Sequence, residues 1–316
     1  MDMNMAVLLL ANIDLEEWFA QLTAELKKRK AGLDLRIWPE SGKLDEIEIV
    51  LAWWPPLGVM QKLPNLKLII SLGASVDRIL VDPDLPKHIP IVRLLSEGKT
   101  QQIAEYVTLA VLLFQRRFIE YQALHRSRRW EYLPVPEAKE FTVGILGLGV
   151  FGSTVAKKLA AMGFSVRGWS RSPKAMAGVE CFHGREQFKL FLSTCRAIVC
   201  LLPVTPETEG ILCHETFSAL PTGAYLINVG RGKHLVEADL LSALDSGQIA
   251  WACLDVFHQE PLPNDDPFWS HPRIIVTPHI AAVGNPKELA ARIVDTIDCS
   301  REGRPLENAI DRNRGY

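Results

Sequence analysis

The 316-residue sequence predicts an α/β protein with two doubly wound domains, each built on a parallel β-sheet. Three observations indicate this fold class. The length suits about two domains of ordinary size. Short apolar segments of strand length alternate with helix-like segments along the chain, which is typical of parallel sheets covered on both faces. A glycine-rich turn lies between a strand-like and a helix-like segment near the middle of the chain.

Composition and charge exclude several classes of protein. Hydrophobic residues make up 48% and charged residues 23%, and the net charge is −2. This balance does not favour a nucleic-acid partner, and no apolar run approaches the ~18 residues that span a bilayer, so no membrane partner is expected either. The six cysteines lack metal-ligand spacing and four lie in apolar stretches, which predicts buried free thiols, no metal site and a reducing, cytoplasmic location.

The first hundred residues predict one small parallel sheet. Its strand-like runs are residues 6–11, 33–38, 47–53, 66–72 and 89–95. Residues 15–30 carry Leu15, Phe19, Leu22 and Leu26 at helical spacing, which predicts a helix with one buried face. A helix-like segment at 101–125 follows, and its length suits a connection between two domains.

A second α/β series begins after Pro134 and Pro136. Its strand-like runs are residues 142–146, 165–169, 197–202, 224–229, 250–254 and 274–277. Six strands interleaved with helices match a complete dinucleotide-binding sheet. The last helix-like segment, 287–301, is expected to return to the first domain. The predicted domains are therefore residues 1–98 with 286–316, and residues 99–285.

The strongest local motif is the glycine-rich turn Gly147-Leu148-Gly149-Val150-Phe151-Gly152. Gly147 permits a tight turn, Gly149 allows a pyrophosphate close to the backbone, and Gly152 allows close packing of helix on strand. The amphipathic segment 155–162 follows, and the free N–H groups at the start of its helix favour phosphate, so Val150 and Phe151 are also expected to contact the cofactor. An ordinary glycine-rich turn is the alternative, but the strand before it and the amphipathic segment after it favour dinucleotide binding.

The end of the second strand indicates which dinucleotide binds. NAD sites usually carry an acidic residue there to hold the ribose hydroxyls. This chain has Ser170, Arg171 and Ser172 instead, with no acidic residue between Gly152 and Glu180. An arginine pairs with a 2′-phosphate and hydroxyls donate to it, so NADPH is the predicted cofactor and NADH the alternative.

Three residues with complementary chemistry follow later strands of the same sheet: Arg231, Glu260 and His279. Ligands of open α/β sheets bind beyond the carboxyl ends of the strands, so these side chains are expected to meet over one cleft. A cation, a carboxylate and an imidazole are what reduction of a carbonyl in an anionic substrate requires. Taken singly, each also fits a bland role as a surface arginine, a loop glutamate or a capping histidine.

The order of these motifs resembles the D-2-hydroxyacid dehydrogenase family. The matching segments are Gly147 to Gly152, Asn228-Val229-Gly230-Arg231-Gly232, Leu254-Asp255-Val256-Phe257, Glu260-Pro261-Leu262-Pro263, Pro278-His279 and, in the first domain, Leu72-Gly73-Ala74-Ser75-Val76-Asp77. The segments Trp53-Trp54-Pro55-Pro56, Tyr121-Gln122-Ala123-Leu124 and Trp169-Ser170-Arg171-Ser172 look most like members that reduce glyoxylate and hydroxypyruvate.

The resemblance implies a Rossmann dinucleotide-binding domain inserted into a flavodoxin-like substrate domain. It implies NADPH-dependent reduction of small 2-oxo acids, glyoxylate to glycolate and hydroxypyruvate to glycerate, by a homodimer. His279 would be the acid/base, Glu260 its partner, and Arg231 the ligand of the substrate carboxylate and carbonyl.

Further contacts follow from the same resemblance. Asp255 would orient the nicotinamide carboxamide, and four residues would line the cofactor: Leu202, Pro203, Val229 and Gly230. Trp53 and the backbone N–H groups of Ala74 and Ser75 would contact the substrate. Ser75 departs from the family, where glycine is usual, and its side chain would narrow the pocket.

Two other functions remain open on this fold. One is a dehydrogenase for another D-2-hydroxy acid, such as a phosphorylated one, although 316 residues leave no room for an extra regulatory domain. The other is a protein that senses a dinucleotide without catalysis, because fold does not fix function.

Overall fold

A computed structural model of the chain describes residues 6–11, 16–73 and 75–312. The described chain separates into two compact units, one of residues up to Lys99 together with those from Gly284 onward, the other from Thr100 to Val283. The strands are β1 (Ala6–Ala11), β2 (Asp34–Ile37), β3 (Ile47–Trp53), β4 (Leu68–Ser71), β5 (Ile91–Arg93), β6 (Val143–Leu146), β7 (Val166–Ser170), β8 (Val179–His183), β9 (Ala197–Cys200), β10 (Ala224–Asn228), β11 (Ile249–Leu254) and β12 (Ile274–Val276). The helices are α1 (Glu16–Arg29), α2 (Asp77–Leu80), α3 (Glu97–Gln115), α4 (Phe118–Arg126), α5 (Val150–Ala161), α6 (Phe188–Leu192), α7 (His214–Ser218), α8 (Glu237–Asp245) and α9 (Pro286–Arg301).

The first unit is a five-stranded parallel sheet in the order β2-β1-β3-β4-β5. This is the strand order of flavodoxin-like sheets. Leu22 and Leu26 of α1 are fully buried, as their helical spacing predicts, and they share one core with Leu289 and Ile293 of α9. Helix α9 therefore belongs to this unit although it lies near the end of the chain.

The second unit is a seven-stranded parallel sheet in the order β12-β11-β10-β9-β6-β7-β8. Counted from β6, this is the dinucleotide-binding order 3-2-1-4-5-6 with β12 added at the far edge. The prediction of six strands was wrong by one, because it omitted β8. In that short edge strand Phe182 is the one buried residue, so the sequence lacks the apolar run that marks an interior strand.

The predicted helix at 101–125 is two helices. Helix α3 ends at Gln115, and α4 begins after Arg117, which has φ +54. A left-handed residue cannot continue a right-handed helix, so the chain turns there. One face of α3 is buried in the second unit, where Phe114 stacks on Tyr225 with ring centroids 4.6 Å apart.

The six cysteines are free thiols. Burial raises the pKa of Cys195 and of Cys200 to about 12 and that of Cys253 to about 11. These three are therefore unreactive core residues near neutral pH. In the described ranges, no helix is both long and apolar enough to cross a bilayer.

Candidate active site

Five strands of the second sheet end level with one another. Leu146 pairs with Cys200, Cys200 with Asn228, Asn228 with Leu254, and Leu254 with Val276. Because parallel strands present their carboxyl ends at the same edge, the segments that follow these five residues meet at one edge of the sheet. These segments contain the glycine-rich turn and all three of the predicted catalytic residues.

The glycine-rich turn has the geometry that a dinucleotide requires. Gly147 has φ +98, and a Cβ there would lie 2.9 Å from the Leu201 carbonyl oxygen. A Cβ on Gly152 would lie 1.8 Å from the Gly147 carbonyl oxygen, so helix α5 packs directly on the turn. Gly149, in contrast, has open space within 4 Å of its Cβ position. Neighbouring protein atoms therefore pack against Gly147 and Gly152, whereas the space beside Gly149 is empty and Val150 at the start of α5 is 54% exposed. A pyrophosphate fits in this space, next to the helix N-terminus.

The end of β7 carries the basic residues expected to read the 2′-phosphate. Arg171 is exposed, whereas Ser170 is 7% exposed and its hydroxyl donates to the Ser172 carbonyl oxygen at 2.8 Å. Ser170 therefore shapes the turn that presents Arg171. The sequence analysis missed Lys174, whose Nζ donates to the Leu148 carbonyl oxygen and links this turn to the glycine-rich turn.

A carboxylate lies near this basic end. The Thr205 hydroxyl holds the pKa of Glu207 below its usual value, and Arg171 and Arg185 lower it further. Glu207 therefore lies within electrostatic range of both guanidinium groups. It comes from the loop after β9, so no acidic residue follows β7 itself at the position typical of NAD sites.

A buried network holds Arg231. The Asn228 side-chain amide donates to the Arg231 carbonyl oxygen at 3.1 Å, and the Arg231 N–H donates to Nδ1 of His234 at 3.0 Å. The other ring nitrogen of His234, which is fully buried, donates to the Pro203 carbonyl oxygen at 3.2 Å. His234 thus joins the Arg231 loop to Pro203 on the predicted nicotinamide wall, a connection that the sequence analysis missed.

The Arg231 loop also contacts the loop that carries Glu260. A Cβ on Gly232 would lie 1.9 Å from the Phe257 carbonyl carbon, so only glycine fits between these two backbones. The remaining predicted cofactor wall residues lie beside this junction, where Val229 and Leu202 are 7% and 8% exposed and Gly230 N–H donates to the Asn228 side chain at 3.2 Å.

His279 and Glu260 form a hydrogen-bonded pair. Nδ1 of His279 donates to Oε2 of Glu260 at 2.9 Å, and Oε1 of Glu260 accepts the Phe257 N–H at 2.8 Å. The side chain of Glu260 is 8% exposed and that of His279 is 35% exposed. The carboxylate is therefore a buried, fixed partner, and the imidazole reaches the surface, as an acid/base residue must.

Asp255 holds the segment that carries His279. Its carboxylate accepts the N–H groups of Ile280 at 2.8 Å and Ala281 at 2.9 Å, and the Thr277 hydroxyl at 2.6 Å. Its backbone carbonyl accepts the His279 N–H at 2.9 Å. Burial raises the pKa of Asp255, and these hydrogen bonds oppose that effect. The structure therefore gives Asp255 a second task beside its predicted nicotinamide contact.

Tyr106 completes this network and was not predicted. Its hydroxyl lies 2.6 Å from the Thr277 hydroxyl oxygen and 3.3 Å from the sulfur of Cys253. Burial raises the pKa of Tyr106, so the phenol stays neutral. No sequence signal connects this helix residue to His279, because the contact spans 171 positions.

In the first unit, the structure distinguishes the two tryptophans that follow one another at the end of β3. The Trp53 ring packs edge-on against Trp18 at 4.8 Å and Phe19 at 5.8 Å. Trp54 has φ +55, and the Arg78 guanidinium lies 3.5 Å from its ring centroid. This packing leaves Trp53 half-buried, and Trp54 is a second candidate substrate contact beside it.

The predicted carboxylate-binding segment follows β4. Ala74 lies outside the described residues. The hydroxyl of Ser75 donates to the Asp77 carboxylate at the start of α2, and the Ser75 carbonyl oxygen accepts the Ser71 hydroxyl at 3.0 Å. The Ser75 side chain is therefore held by Asp77. Over the described ranges, no cluster of three or more metal-ligating side chains is found.

The chain is similar to known proteins over nearly its whole length. Residues 108–281 match the family described as D-isomer specific 2-hydroxyacid dehydrogenase, NAD binding domain. Glyoxylate/hydroxypyruvate reductase A of Serratia proteamaculans (strain 568) is 44% identical over 306 residues, which cover 95% of this chain and 96% of the relative.

Two solved structures share the fold. A D-isomer specific 2-hydroxyacid dehydrogenase from Xanthobacter autotrophicus Py2, in complex with NADPH and MES, superposes with a TM-score of 0.92 at 40% identity, covering 99% of this chain and all of the other. An NADPH-dependent glyoxylate/hydroxypyruvate reductase from Sinorhizobium meliloti, in complex with NADP and sulfate, gives 0.92 at 36% identity, covering 98% and 99%.

Proposed function

Because the chain belongs to the D-isomer specific 2-hydroxyacid dehydrogenase family, we propose that it reduces small 2-oxo acids with NADPH, glyoxylate to glycolate and hydroxypyruvate to glycerate. The observation that carries this proposal is the His279–Glu260 pair at the sheet edge where the Arg231 loop and the glycine-rich turn also lie. A protein that only senses the dinucleotide has no need of a buried carboxylate behind a surface imidazole.

When bound, NADPH would supply the hydride that the substrate C2 carbon receives. Gly147, Gly149 and Gly152 would receive the pyrophosphate at the start of α5, and Arg171 with Lys174 would hold the 2′-phosphate. Leu202, Pro203 and Val229 would form the wall beside the nicotinamide. This assignment fits the open space before Gly149 and the basic turn after β7.

His279 donates a proton to the substrate oxygen as the carbonyl is reduced. Glu260 accepts the Nδ1–H, which leaves Nε2 as the nitrogen that delivers the proton. Arg231 binds the substrate carboxylate and polarises the carbonyl oxygen, because a guanidinium matches a carboxylate in geometry and charge.

The first unit would supply the remaining substrate contacts. The segment after β4, with the Gly73 and Ser75 N–H groups, binds the carboxylate, and Trp54 bounds the substituent at C3. A tryptophan ring in that position favours small substituents. Discrimination against one extra methylene is worth only about 1–3 kcal/mol, so pyruvate should still react slowly.

The test is loss of NADPH absorbance with five substrates: glyoxylate, hydroxypyruvate, pyruvate, phenylpyruvate and 3-phosphohydroxypyruvate. We expect the highest kcat/KM for glyoxylate and hydroxypyruvate, and lower values with NADH. Higher kcat/KM for phenylpyruvate or the phosphorylated acid would contradict the preference for small substrates and would support only the reduction of 2-oxo acids in general. No turnover of any of them, together with tight NADPH binding, would favour the sensing protein.

We further propose that the enzyme is a cytoplasmic homodimer. The exposed aromatic residues that a dimer interface would use are Trp130, Tyr132 and Phe118 of α4, which are 103%, 82% and 51% exposed. Large exposed aromatic side chains favour a two-fold interface. Sedimentation at micromolar concentration should give twice the 35.3 kDa chain mass. A species of single-chain mass would contradict the dimer.

The cytoplasmic location is supported by the dependence on NADPH, which is regenerated inside the cell.

A further inference from the structure

Lys99 is a buried lysine in the first unit that neither the dinucleotide motif nor the His279 site uses. It is 2% exposed, and lysine is among the residues least often buried. It is the third residue of α3, near a helix N-terminus, where a positive charge is unfavourable. Burial lowers the pKa of Lys99 to about 8. These costs indicate that the ammonium group serves something other than fold stability.

The ammonium group binds one backbone carbonyl. Nζ of Lys99 donates to the Leu72 oxygen at 2.5 Å, at the point where β4 has ended and the proposed carboxylate-binding segment begins. A trans peptide is planar with its N–H opposite its C=O, so the Gly73 N–H of the same peptide group points away from Lys99. Within residues 6–11, 16–73 and 75–312, this N–H has no hydrogen-bond acceptor.

The next carbonyls of the segment are held in a similar way. The Ser71 hydroxyl lies 3.3 Å from the Gly73 carbonyl oxygen and 3.0 Å from that of Ser75. Lys99 and Ser71 together therefore bind the carbonyl oxygens of Leu72, Gly73 and Ser75. Backbone N–H groups on the opposite side of such a segment form a site for an anion.

Residues of two chain segments fix the position of Lys99. One is the segment around Ser96 that precedes it, and the other is the segment at Gly284 to Glu288 that begins α9. Its own N–H donates to the Ser96 hydroxyl oxygen at 3.2 Å, and a Cβ on Gly284 would lie 2.6 Å from its Cε. Glu288 of α9 accepts the Gly98 N–H at 3.3 Å and is the charged side chain that raises the pKa of Lys99 against burial. The ammonium group has little freedom to move away from Leu72.

We propose that Lys99 is a positioning residue for the substrate carboxylate: it orients and polarises the Leu72–Gly73 peptide group, and its charge strengthens anion binding by the segment that follows. The inference rests on the proposed function, because it assigns Lys99 to the substrate site of that reaction. A hydrogen bond from a charged donor polarises the peptide more strongly than one from a neutral donor. Lys99 acts through the peptide group and does not itself contact the substrate.

The test uses Lys99→Met, which keeps the length and loses the charge, and Lys99→Gln, which keeps an N–H donor. Lys67→Met is the matched control, because Lys67 is an exposed lysine of the same unit paired with Glu48. The readouts are KM and kcat for glyoxylate, and the Kd of oxamate, an unreactive 2-oxo carboxylate analogue, from NADPH fluorescence in the enzyme–NADPH complex.

At pH 7 we expect Lys99→Met to raise KM and the oxamate Kd about ten-fold with kcat changed less than three-fold, and Lys99→Gln to fall between it and the wild type. The difference between wild type and Lys99→Met should shrink above pH 8, because Lys99 itself then loses its charge. The Lys99 variants should bind NADPH with wild-type affinity. Lys67→Met should keep the wild-type KM, kcat and oxamate Kd.

Oxamate Kd values within two-fold of wild type in either folded variant, or a difference that does not change with pH, would overturn the role of Lys99. If Lys99→Met does not fold, Lys99→Gln decides alone. Absence of glyoxylate turnover in the wild type would count against the proposed reaction, whereas oxamate binding reports on Lys99 independently of turnover.

Discussion

His279 has φ +55, a left-handed backbone conformation that a residue with a side chain keeps only when its surroundings hold it. Its N–H donates to the carbonyl oxygens of Asp255 and Thr277, at 2.9 and 3.0 Å, and its ring is bound to Glu260. Backbone and side chain are therefore fixed independently. Strain held in this way is typical of residues whose direction matters for catalysis.

Replacing Glu260 with glutamine should lower kcat about 10²-fold, with a smaller effect on KM. The amide NH2 group then faces either the Nδ1–H of His279 or the Phe257 N–H, so the carboxylate hydrogen bonds that hold the His279 ring are lost. Steady-state kinetics measures kcat and KM, with Glu215→Gln, an exposed change in the same unit, as the control. A kcat within two-fold of the wild type would contradict the role of the pair.

Replacing Arg171 with alanine should raise KM for NADPH about 10- to 150-fold and leave KM for NADH nearly unchanged. A charge-assisted hydrogen bond is worth about 1.5–3 kcal/mol, and only NADPH carries the 2′-phosphate. Arg196→Ala is the control. Arg196 directly precedes β9, so it lies at the amino-terminal ends of the strands, away from Arg171, and its Nη1 donates to the Thr222 carbonyl oxygen. Equal losses with both cofactors would mean that Arg171 does not read the phosphate.

At the scale of elements, the segment after β12 depends on a tether from β11 and α3. Asp255 follows β11 and binds two N–H groups beyond His279, while Tyr106 of α3 reaches the same Thr277 hydroxyl that Asp255 accepts. Two elements distant in sequence thus hold one short segment. The helix contributes a side chain to the order of the active site, although it lies outside every motif.

Thr277→Val should test this tether. The substitution preserves shape but removes the hydroxyl, so Tyr106 keeps only the Cys253 sulfur as a partner and Asp255 loses one of its three donors, at a cost of about 1–3 kcal/mol. We expect Tm to fall by several °C and kcat to fall with it, because the His279 segment loses a constraint. Thr296→Val is the control, since that hydroxyl bonds only to Arg292 in its own helix at 2.7 Å. If Tm falls but kcat does not change, the hydrogen bonds of Thr277 contribute to stability and not to catalysis.

At the scale of the whole molecule, the burial of Lys99 makes stability depend on pH. Lys99 has its pKa lowered from 10.5 to about 8 by burial, so between these values the unfolded chain binds more protons than the folded one. Stability therefore rises with pH across that interval and is flat below it, by up to about 3 kcal/mol for this residue.

The Tm of wild type and Lys99→Met, measured from pH 7 to pH 10, should show this linkage. Above pH 8 the Tm of the wild type should rise relative to that of Lys99→Met, because only the wild type can remove a buried charge by releasing the proton of Lys99. Groups that titrate in both proteins cancel in the difference, and Lys67→Met should follow the wild type throughout. Parallel curves for wild type and Lys99→Met would show that folding does not lower the pKa of Lys99.

The sequence by itself predicted most of the strands and the identity of the chemistry. Buried parallel strands are continuous apolar runs, so β1 and β3 were located to the residue, and the turn at Gly147 is recognisable because only glycine meets its backbone requirements. The acid/base pair was predictable in kind, since Glu260 and His279 follow strands whose carboxyl ends share an edge. All of these signals are local or follow from strand order.

The tertiary structure alone decided the features that depend on distant contacts. The edge strand β8 has one buried residue, and the break at Arg117 depends on a single φ angle, so neither leaves a periodic pattern. Tyr106 lies in the segment 101–125, which the sequence predicts as a connection between domains, and Lys99 lies just before it. Their partners are hydrogen-bond acceptors 171 and 27 positions away, and a lysine that is buried has the same letter as one that is exposed. Burial and the direction of a hydrogen bond arise only when the chain is folded, so the tertiary structure alone decides that Tyr106 holds the His279 segment and that Lys99 binds the Leu72 carbonyl.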